Sequence, residues 1–101
     1  MRLVLTTCPV DKSKKLVDGV LKSKLAGCVL DVCLSESRFW WKGEINQEKE
    51  VLLLFKTTNG LVDKLFEKIK ELHPYKVPFI GEIEINKVNE EYEKWLKKVT
   101  E

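Results

Sequence analysis

The sequence predicts an α+β fold with the ferredoxin-like order βαββαβ, followed by one further helix. Two helical stripes separate the apolar strands, two long extended segments follow one another directly, and a short helical pattern closes the chain. In this topology the first two helices join parallel strands by right-handed crossovers, so both lie on one face of the sheet. Residues 1–101 are expected to form a single domain, because the chain is too short for two independent cores.

The first elements are a strand and a helix. Residues 2–7 are apolar and rich in β-branched side chains, as expected of a buried strand. After a proline break, either Asp11 or Ser13 can cap a helix. Ala26 and Gly27 are predicted to end that helix, because glycine favours the left-handed C-cap. The apolar face of the helix consists of Leu16, Val17, Val20, Leu21 and Leu25.

The middle of the chain predicts a long β-hairpin. Residues 28–41 form one extended segment with a bulge near residues 35–37, and Lys42 and Gly43 supply the turn. The returning arm runs through residues 50–57, whose apolar run is typical of a central strand covered on both faces. Both arms exceed the usual strand length of about 5–6 residues, so we expect the hairpin to project beyond the domain.

A second helix, a fourth strand and a third helix complete the pattern. Thr58 or Asn59 can cap the second helix, and Pro74 ends it because the residue before proline is driven out of the helical region. Alternating apolar and acidic residues predict a strand over residues 77–86, and Asn89 opens the last helix. The apolar faces of the two helices are Leu61, Val62, Leu65, Phe66, Ile69 and Leu72, and Tyr92, Trp95, Leu96 and Val99.

Adjacent Trp40 and Trp41 indicate self-association. Successive side chains of a strand point to opposite faces, so one core cannot cover both indoles. The two crossover helices leave the second face of the sheet bare, although the run at residues 51–55 makes that face apolar. Copies of the same chain in a closed cyclic oligomer are the simplest cover. Tyr75 and Trp95 are expected to be further anchors at subunit contacts.

Composition and charge exclude several classes of function. The chain has 18 basic and 16 acidic side chains, and its net charge of +2 is far from the signature of nucleic-acid-binding proteins. No apolar run approaches the roughly 20 residues of a membrane-spanning helix, and a secretory signal pattern is missing. Three cysteines without disulfide spacing favour a reducing compartment. We expect a cytoplasmic protein with neither a nucleic-acid nor a membrane partner.

His73 and Cys8 are the candidate metal ligands. The first strand and the second helix end at the same side of the sheet, which brings the only histidine towards Cys8. A thiolate and an imidazole suit copper, and they suit zinc with help from Asp11 or water. The alternative is that His73 interacts only with the free carbonyls and the dipole of its helix. Cys28 and Cys33 are predicted to lie on opposite faces of a strand as buried packing residues.

The sequence carries no recognisable catalytic motif. A nucleophilic pair of Cys8 and His73 would lack an orienting third group and an oxyanion site, and no phosphate-binding glycine loop occurs. We therefore expect a protein that is not an enzyme. Lysines make the first helix basic, either as a solvated face or as a site for a small anion. They are Lys12, Lys14, Lys15, Lys22 and Lys24.

Ordered motifs run along nearly the whole chain. They are Thr6-Thr7 with Pro9, Leu25-Ala26-Gly27-Cys28, Phe39-Trp40-Trp41-Lys42-Gly43-Glu44-Ile45, Glu50-Val51, Lys56-Thr57-Thr58, Leu72-His73-Pro74-Tyr75-Lys76-Val77-Pro78, and Asn89-Glu90-Glu91-Tyr92 with Trp95-Leu96. In these motifs and their spacing the chain resembles the CutA family of divalent-cation tolerance proteins. The resemblance implies a ferredoxin-like subunit in a tight homotrimer, similar in architecture to PII signalling proteins, with a role in tolerance of copper and other divalent metals.

The resemblance also bears on the metal ligands. The resemblance implies a difference from the bacterial relatives that have a proposed copper site. Those relatives carry a cysteine at the position of Thr6 and two consecutive histidines at the positions of Leu72 and His73. Only His73 carries over residue for residue, and Cys8 is the candidate substitute for the missing cysteine. We therefore predict a non-enzymatic homotrimer that binds copper, or another divalent cation, weakly through His73 and Cys8.

Two alternatives stay open. In the first, the protein is a PII-like sensor whose clefts between subunits bind a small anionic ligand. In the second, it is a structural interaction module with no bound ligand. The sequence does not identify a protein partner for any of these functions.

Overall fold

The chain folds into four strands and three α-helices, in the order β1–α1–β2–β3–α2–β4–α3. A computed structural model describes the backbone of all 101 residues and every side chain except those of Leu34 and Ser35. The strands are β1 (Arg2–Pro9), β2 (Cys28–Trp41), β3 (Glu44–Thr57) and β4 (Ile80–Glu84), and the helices are α1 (Ser13–Lys22), α2 (Val62–Leu72) and α3 (Glu90–Val99). Short 3₁₀ turns, Val10–Lys12 and Asn59–Leu61, precede α1 and α2.

The strands form one antiparallel sheet in the order β2-β3-β1-β4. β1 pairs along its whole length with β3 on one side, and its first part pairs with β4 on the other. This strand order, with α1 and α2 as crossovers, is that of the ferredoxin-like fold and confirms the predicted fold class. None of the helices, over the residues that the structure describes, is long and apolar enough to cross a membrane.

The core lies on the face of the sheet that α1 and α2 cover. Val4 of β1 and Leu53 and Phe55 of β3 are fully buried there against side chains of the two helices. The opposite face, here called the open face, is also apolar, as the sequence predicts. It carries Leu3 and Leu5 of β1, Leu30 and Val32 of β2, Leu52 and Leu54 of β3, and Ile83 of β4. The sheet therefore has two apolar faces, and the crossover helices cover one of them.

β2 and β3 form the long hairpin that the sequence predicts. Lys42 and Gly43 close it with φ angles of 50° and 78°, the backbone conformation of a two-residue type I′ turn. A register shift between residues 34 and 37 marks the predicted bulge. The longest dimension of the chain is 46 Å. Trp40 and Trp41, near the tip, are both exposed, so the core of this chain covers neither indole.

Element boundaries differ from the prediction at several points, and two of them, the end of α1 and the start of β4, have a local explanation. α1 ends at Lys22 rather than near Gly27, because Lys24 already adopts the left-handed conformation with a φ of 60°. β4 begins only at Ile80, since the preceding Pro78 has no N–H to donate to the sheet. The end of α1 and the start of β4 each depend on a single residue of the backbone, which the spacing of apolar residues does not predict.

Gly27 allows a close approach of α3 rather than ending α1. A Cβ at this position would lie 2.7 Å from Leu96 Cδ1 and 2.9 Å from Val99 Cγ2. Leu96 is fully buried, and the Gly27 N–H donates to the carbonyl of Lys56 on β3 at 3.0 Å. The contact that holds α3 in place therefore requires a residue without a side chain.

We expect Gly27→Ala to lower the free energy of unfolding by about 1–3 kcal/mol, because the added methyl group overlaps side chains of α3. Gly60→Ala is the matched control, since a Cβ at that position meets nothing within 4 Å. Urea unfolding of both variants measures the difference. Equal unfolding midpoints for the two variants would contradict the close approach of α3.

Candidate functional site

His73 follows α2 directly and contacts the end of β1. Its imidazole is buried, and Nε2 lies 2.8 Å from the carbonyl oxygen of Thr7. Nδ1 lies 3.0 Å from the backbone nitrogen of Tyr75, which donates to it. Because a backbone amide is always a donor, Nδ1 accepts, and Nε2 carries the proton that is donated to Thr7. The two bonds thus assign a neutral imidazole in one defined tautomer.

Cys8 follows Thr7 on β1, and its side chain belongs to the buried core. Burial, followed by the carboxylates of Glu50, Asp31 and Asp11, raises the pKa of the thiol to about 11. Cys8 is therefore a protonated thiol at neutral pH. An ion that binds its sulfur has to displace that proton.

Tyr75 and Glu50 lie beside the two predicted ligands. The Tyr75 hydroxyl donates to Glu50 Oε2 at 2.9 Å, and the Glu50 side chain is almost completely buried. Burial and this hydrogen bond raise the pKa of the Tyr75 hydroxyl, which keeps it protonated. The sequence predicts Tyr75 as an anchor at a subunit contact and assigns no role to Glu50. The available signal was an acidic residue placed directly before the apolar run of β3.

The structure places both predicted ligands at one end of the sheet, as the topology requires. His73 binds the carbonyl of Thr7, the residue before Cys8. Among the residues with described side chains, no group of three or more His, Cys, Asp or Glu is arranged to hold a metal ion. Thr6 is also buried, and its hydroxyl donates to the carbonyl of Phe79 at 2.6 Å.

The two other cysteines lie on opposite faces of β2, as predicted, because Cys28 is opposite Lys56 and Cys33 is opposite Val51. Cys28 is half-buried and Cys33 is exposed. The prediction that both are buried packing residues is therefore wrong for Cys33 and is met only in part by Cys28. The reason is that β2 is an edge strand of the sheet, where one flank of the strand has no neighbour.

The lysines of α1 lie at the surface, as expected of a solvated face. Lys14 forms an ion pair with Asp18, one helical turn further on. Lys12, Lys15 and Lys22 are exposed. Nothing in this arrangement singles out one position on the helix as an anion site.

Residues 2–99 match the family model described as CutA1 divalent ion tolerance protein. The chain belongs to this family. Within the CutA1 family it is similar to the divalent-cation tolerance protein CutA of Pyrococcus horikoshii, at 44% identity over 99 residues, which cover 95% of this chain and 94% of the relative. The CutA of Thermus thermophilus is 38% identical over 99 residues, which cover 97% and 96% of the two chains.

A solved structure agrees with these sequence matches. The crystal structure of CutA1 from Pyrococcus horikoshii superposes on the chain with a TM-score of 0.95 at 40% identity, covering 100% of this chain and 99% of the other. The match with the CutA1 family confirms the resemblance drawn from the motifs. It associates the chain with tolerance of divalent ions and names no particular metal.

The raised pKa of Cys8 predicts a pH dependence of stability. The thiol has an ordinary pKa of 9.0 and a pKa of about 11 in the fold, so the folded state holds the proton more tightly. The resulting stabilisation is fully present below pH 9 and is lost as the pH rises to 11. Between these pH values we expect the unfolding free energy of the unmodified protein to fall by about 1–3 kcal/mol more than that of Cys8→Ala.

Urea unfolding in reducing buffer at several pH values measures this difference. Tyr75 and the lysines also contribute to the pH dependence of the unfolding free energy. Both proteins share these contributions, so they cancel in the comparison with Cys8→Ala. Parallel pH profiles for the two proteins would show that Cys8 is not the group responsible.

Proposed function

We propose that this protein is a non-enzymatic, cytoplasmic homotrimer that binds copper weakly and takes part in divalent-cation tolerance, with His73 and Cys8 as ligands. The observation that carries the ion-binding part is the tautomer of His73. Its Nε2–H donates to the carbonyl of Thr7, the outer hydrogen bond that metal-binding histidines usually make. This bond leaves Nδ1 as the nitrogen whose lone pair can bind an ion, once the Tyr75 N–H that it accepts in the structure is displaced.

The electrostatic surroundings of Cys8 also favour a cation. Without an ion, the carboxylates of Glu50, Asp31 and Asp11 disfavour the thiolate. A divalent cation reverses this effect, because the carboxylates attract it and it stabilises the thiolate that it binds. Thiolate and imidazole are donors that suit copper. Two such protein donors are fewer than the four of a closed structural site, which is consistent with weak binding.

The homotrimer is supported by the apolar surface that a single chain exposes. Leu30, Val32 and Ile83 on the open face are exposed, as are Trp40 and Trp41 on the hairpin. Their burial between copies would contribute about 25 cal/mol per Å² of apolar area removed from water. β2 and β4 are the edge strands of the sheet, and a closed ring of copies can cover them without leaving a free edge. The three free cysteines are consistent with a reducing cytoplasmic location.

Calorimetric titration of Cu²⁺ and of Zn²⁺ into the reduced protein tests the ion site. We expect saturable binding that is lost in His73→Ala and weakened more than about tenfold in Cys8→Ala, since each variant removes one donor. Cys28→Ala is the matched control, because Cys28 lies on the opposite face of the sheet from Cys8. Unchanged binding in His73→Ala would remove His73 from the site.

Sedimentation equilibrium tests the assembly. We expect a mass three times the 11.8 kDa of the single chain. Leu30→Lys should dissociate the trimer, because it places a charge in the apolar contact. Leu21→Lys is the matched control, since Leu21 is 38% exposed on α1 whereas Leu30 is 42% exposed on the open face. A folded, soluble single subunit at micromolar concentration would contradict the proposed assembly.

A further inference from the structure

Tyr75 joins His73 to Glu50 through two hydrogen bonds made by different parts of the residue. Its backbone N–H donates to His73 Nδ1 at 3.0 Å, and its hydroxyl donates to Glu50 Oε2 at 2.9 Å. The rings of Tyr75 and His73 also pack together, with centroids 5.0 Å apart and an interplanar angle of 50°. A movement of Tyr75 at one of these bonds therefore affects the other.

The Nδ1 lone pair of His73 accepts one partner at a time. Because Nε2 carries the proton donated to Thr7, Nδ1 is the nitrogen with a lone pair for an ion. In the structure the N–H of Tyr75 occupies that lone pair. An ion at Nδ1 therefore has to replace the Tyr75 N–H, and the backbone of Tyr75 has to move away from the imidazole.

Glu50 is sensitive to such a movement. The residue is 3% exposed, and its place in β3 puts its side chain on the same face as Leu52 and Leu54, the open face. Among the described side chains, the Tyr75 hydroxyl is the hydrogen-bond donor to its carboxylate, and no cationic group lies within 4.0 Å. Loss of that donor changes the surroundings of a buried charge.

We infer that Tyr75 couples cation binding at His73 to Glu50 on the open face. An ion at Nδ1 displaces the Tyr75 N–H and thereby weakens the Tyr75–Glu50 hydrogen bond. Glu50 lies on the face that the trimer would bury, so the surroundings of that face depend on whether the ion site is occupied. The inference rests on the proposed function, because it takes His73 as a ligand. Coupling of this kind is reciprocal, so a change that removes the Tyr75–Glu50 bond makes the ion bind more tightly.

Tyr75→Phe tests the coupling, with Zn²⁺ as the probe because this ion is diamagnetic and redox-inactive. The variant keeps the ring and the backbone N–H but removes the hydroxyl, so ion binding no longer has to weaken the bond to Glu50. We expect calorimetry to show about tenfold tighter binding of Zn²⁺ than in the unmodified protein. Tyr92→Phe is the matched control, since its hydroxyl contacts Lys56 Nζ at 3.2 Å, and its Zn²⁺ affinity should be unchanged.

A second measurement applies to the unmodified protein and does not depend on the folding of a variant. In ¹⁵N-labelled protein, the amide resonance of Tyr75 should shift on addition of Zn²⁺, because its N–H loses the His73 acceptor. The amide resonance of Tyr92 should stay in place, because its N–H donates to the carbonyl of Asn89, the residue directly before α3.

The outcomes separate the coupling from the proposed function. Tighter binding in Tyr75→Phe together with a shifted Tyr75 amide supports the coupling. Zn²⁺ binding that requires His73 but leaves the Tyr75 amide unshifted, or is unchanged in a folded Tyr75→Phe, overturns the coupling and leaves the ligand role of His73 standing. Zn²⁺ binding that is absent, or that survives in His73→Ala, overturns the ligand role and the coupling together.

Discussion

β3 carries apolar side chains on both of its faces, and the crossover helices cover one of these faces. Val51, Leu53 and Phe55 are buried beneath α1 and α2, whereas Leu52 and Leu54 point to the open face. No rearrangement of α1 and α2 can cover both faces at once, because each is tied by short connections to strands of the same sheet. The remaining apolar face is thus a property of the topology, and it is the surface that the proposed association of copies would bury.

The same sheet determines where the candidate site can form. The connection from α2 to β4 passes the end of β1, where His73 binds the carbonyl of Thr7. Tyr75, two residues later, reaches Glu50 at the start of the apolar run of β3. The site therefore lies at the boundary between the buried core, which contains Cys8, and the open face, which contains Glu50.

The fold could be predicted largely from the sequence because its elements depend on side-chain patterns with fixed periods. The two helical stripes, the extended hairpin arms and the turn at Lys42 and Gly43 are local signals of this kind. The end of α1 could not be predicted, because Lys24 takes a left-handed conformation that sequence patterns assign to glycine. The role of Gly27 depends on α3, which lies far along the chain.

The candidate site could be predicted only in part. Topology alone brings His73 to the end of β1, since crossover connections determine which strand ends meet. The hydrogen bond between Tyr75 and Glu50 joins a residue of a loop to a residue of a strand. No periodic pattern in the sequence relates these two positions, so the sequence could not indicate the bond. The exposure of Cys33 depends on the position of β2 at the edge of the sheet.

β1 is an inner strand of the sheet, but its partners come late in the chain. Residues 2–9 pair with residues 50–57, and residues 2–6 pair with residues 80–84. During translation this apolar strand leaves the ribosome long before either partner has been made, and the closing of such long loops slows folding. Until residues 50–57 have been made, β1 has no strand partner, and an unpaired apolar strand is an aggregation-prone segment of a nascent chain.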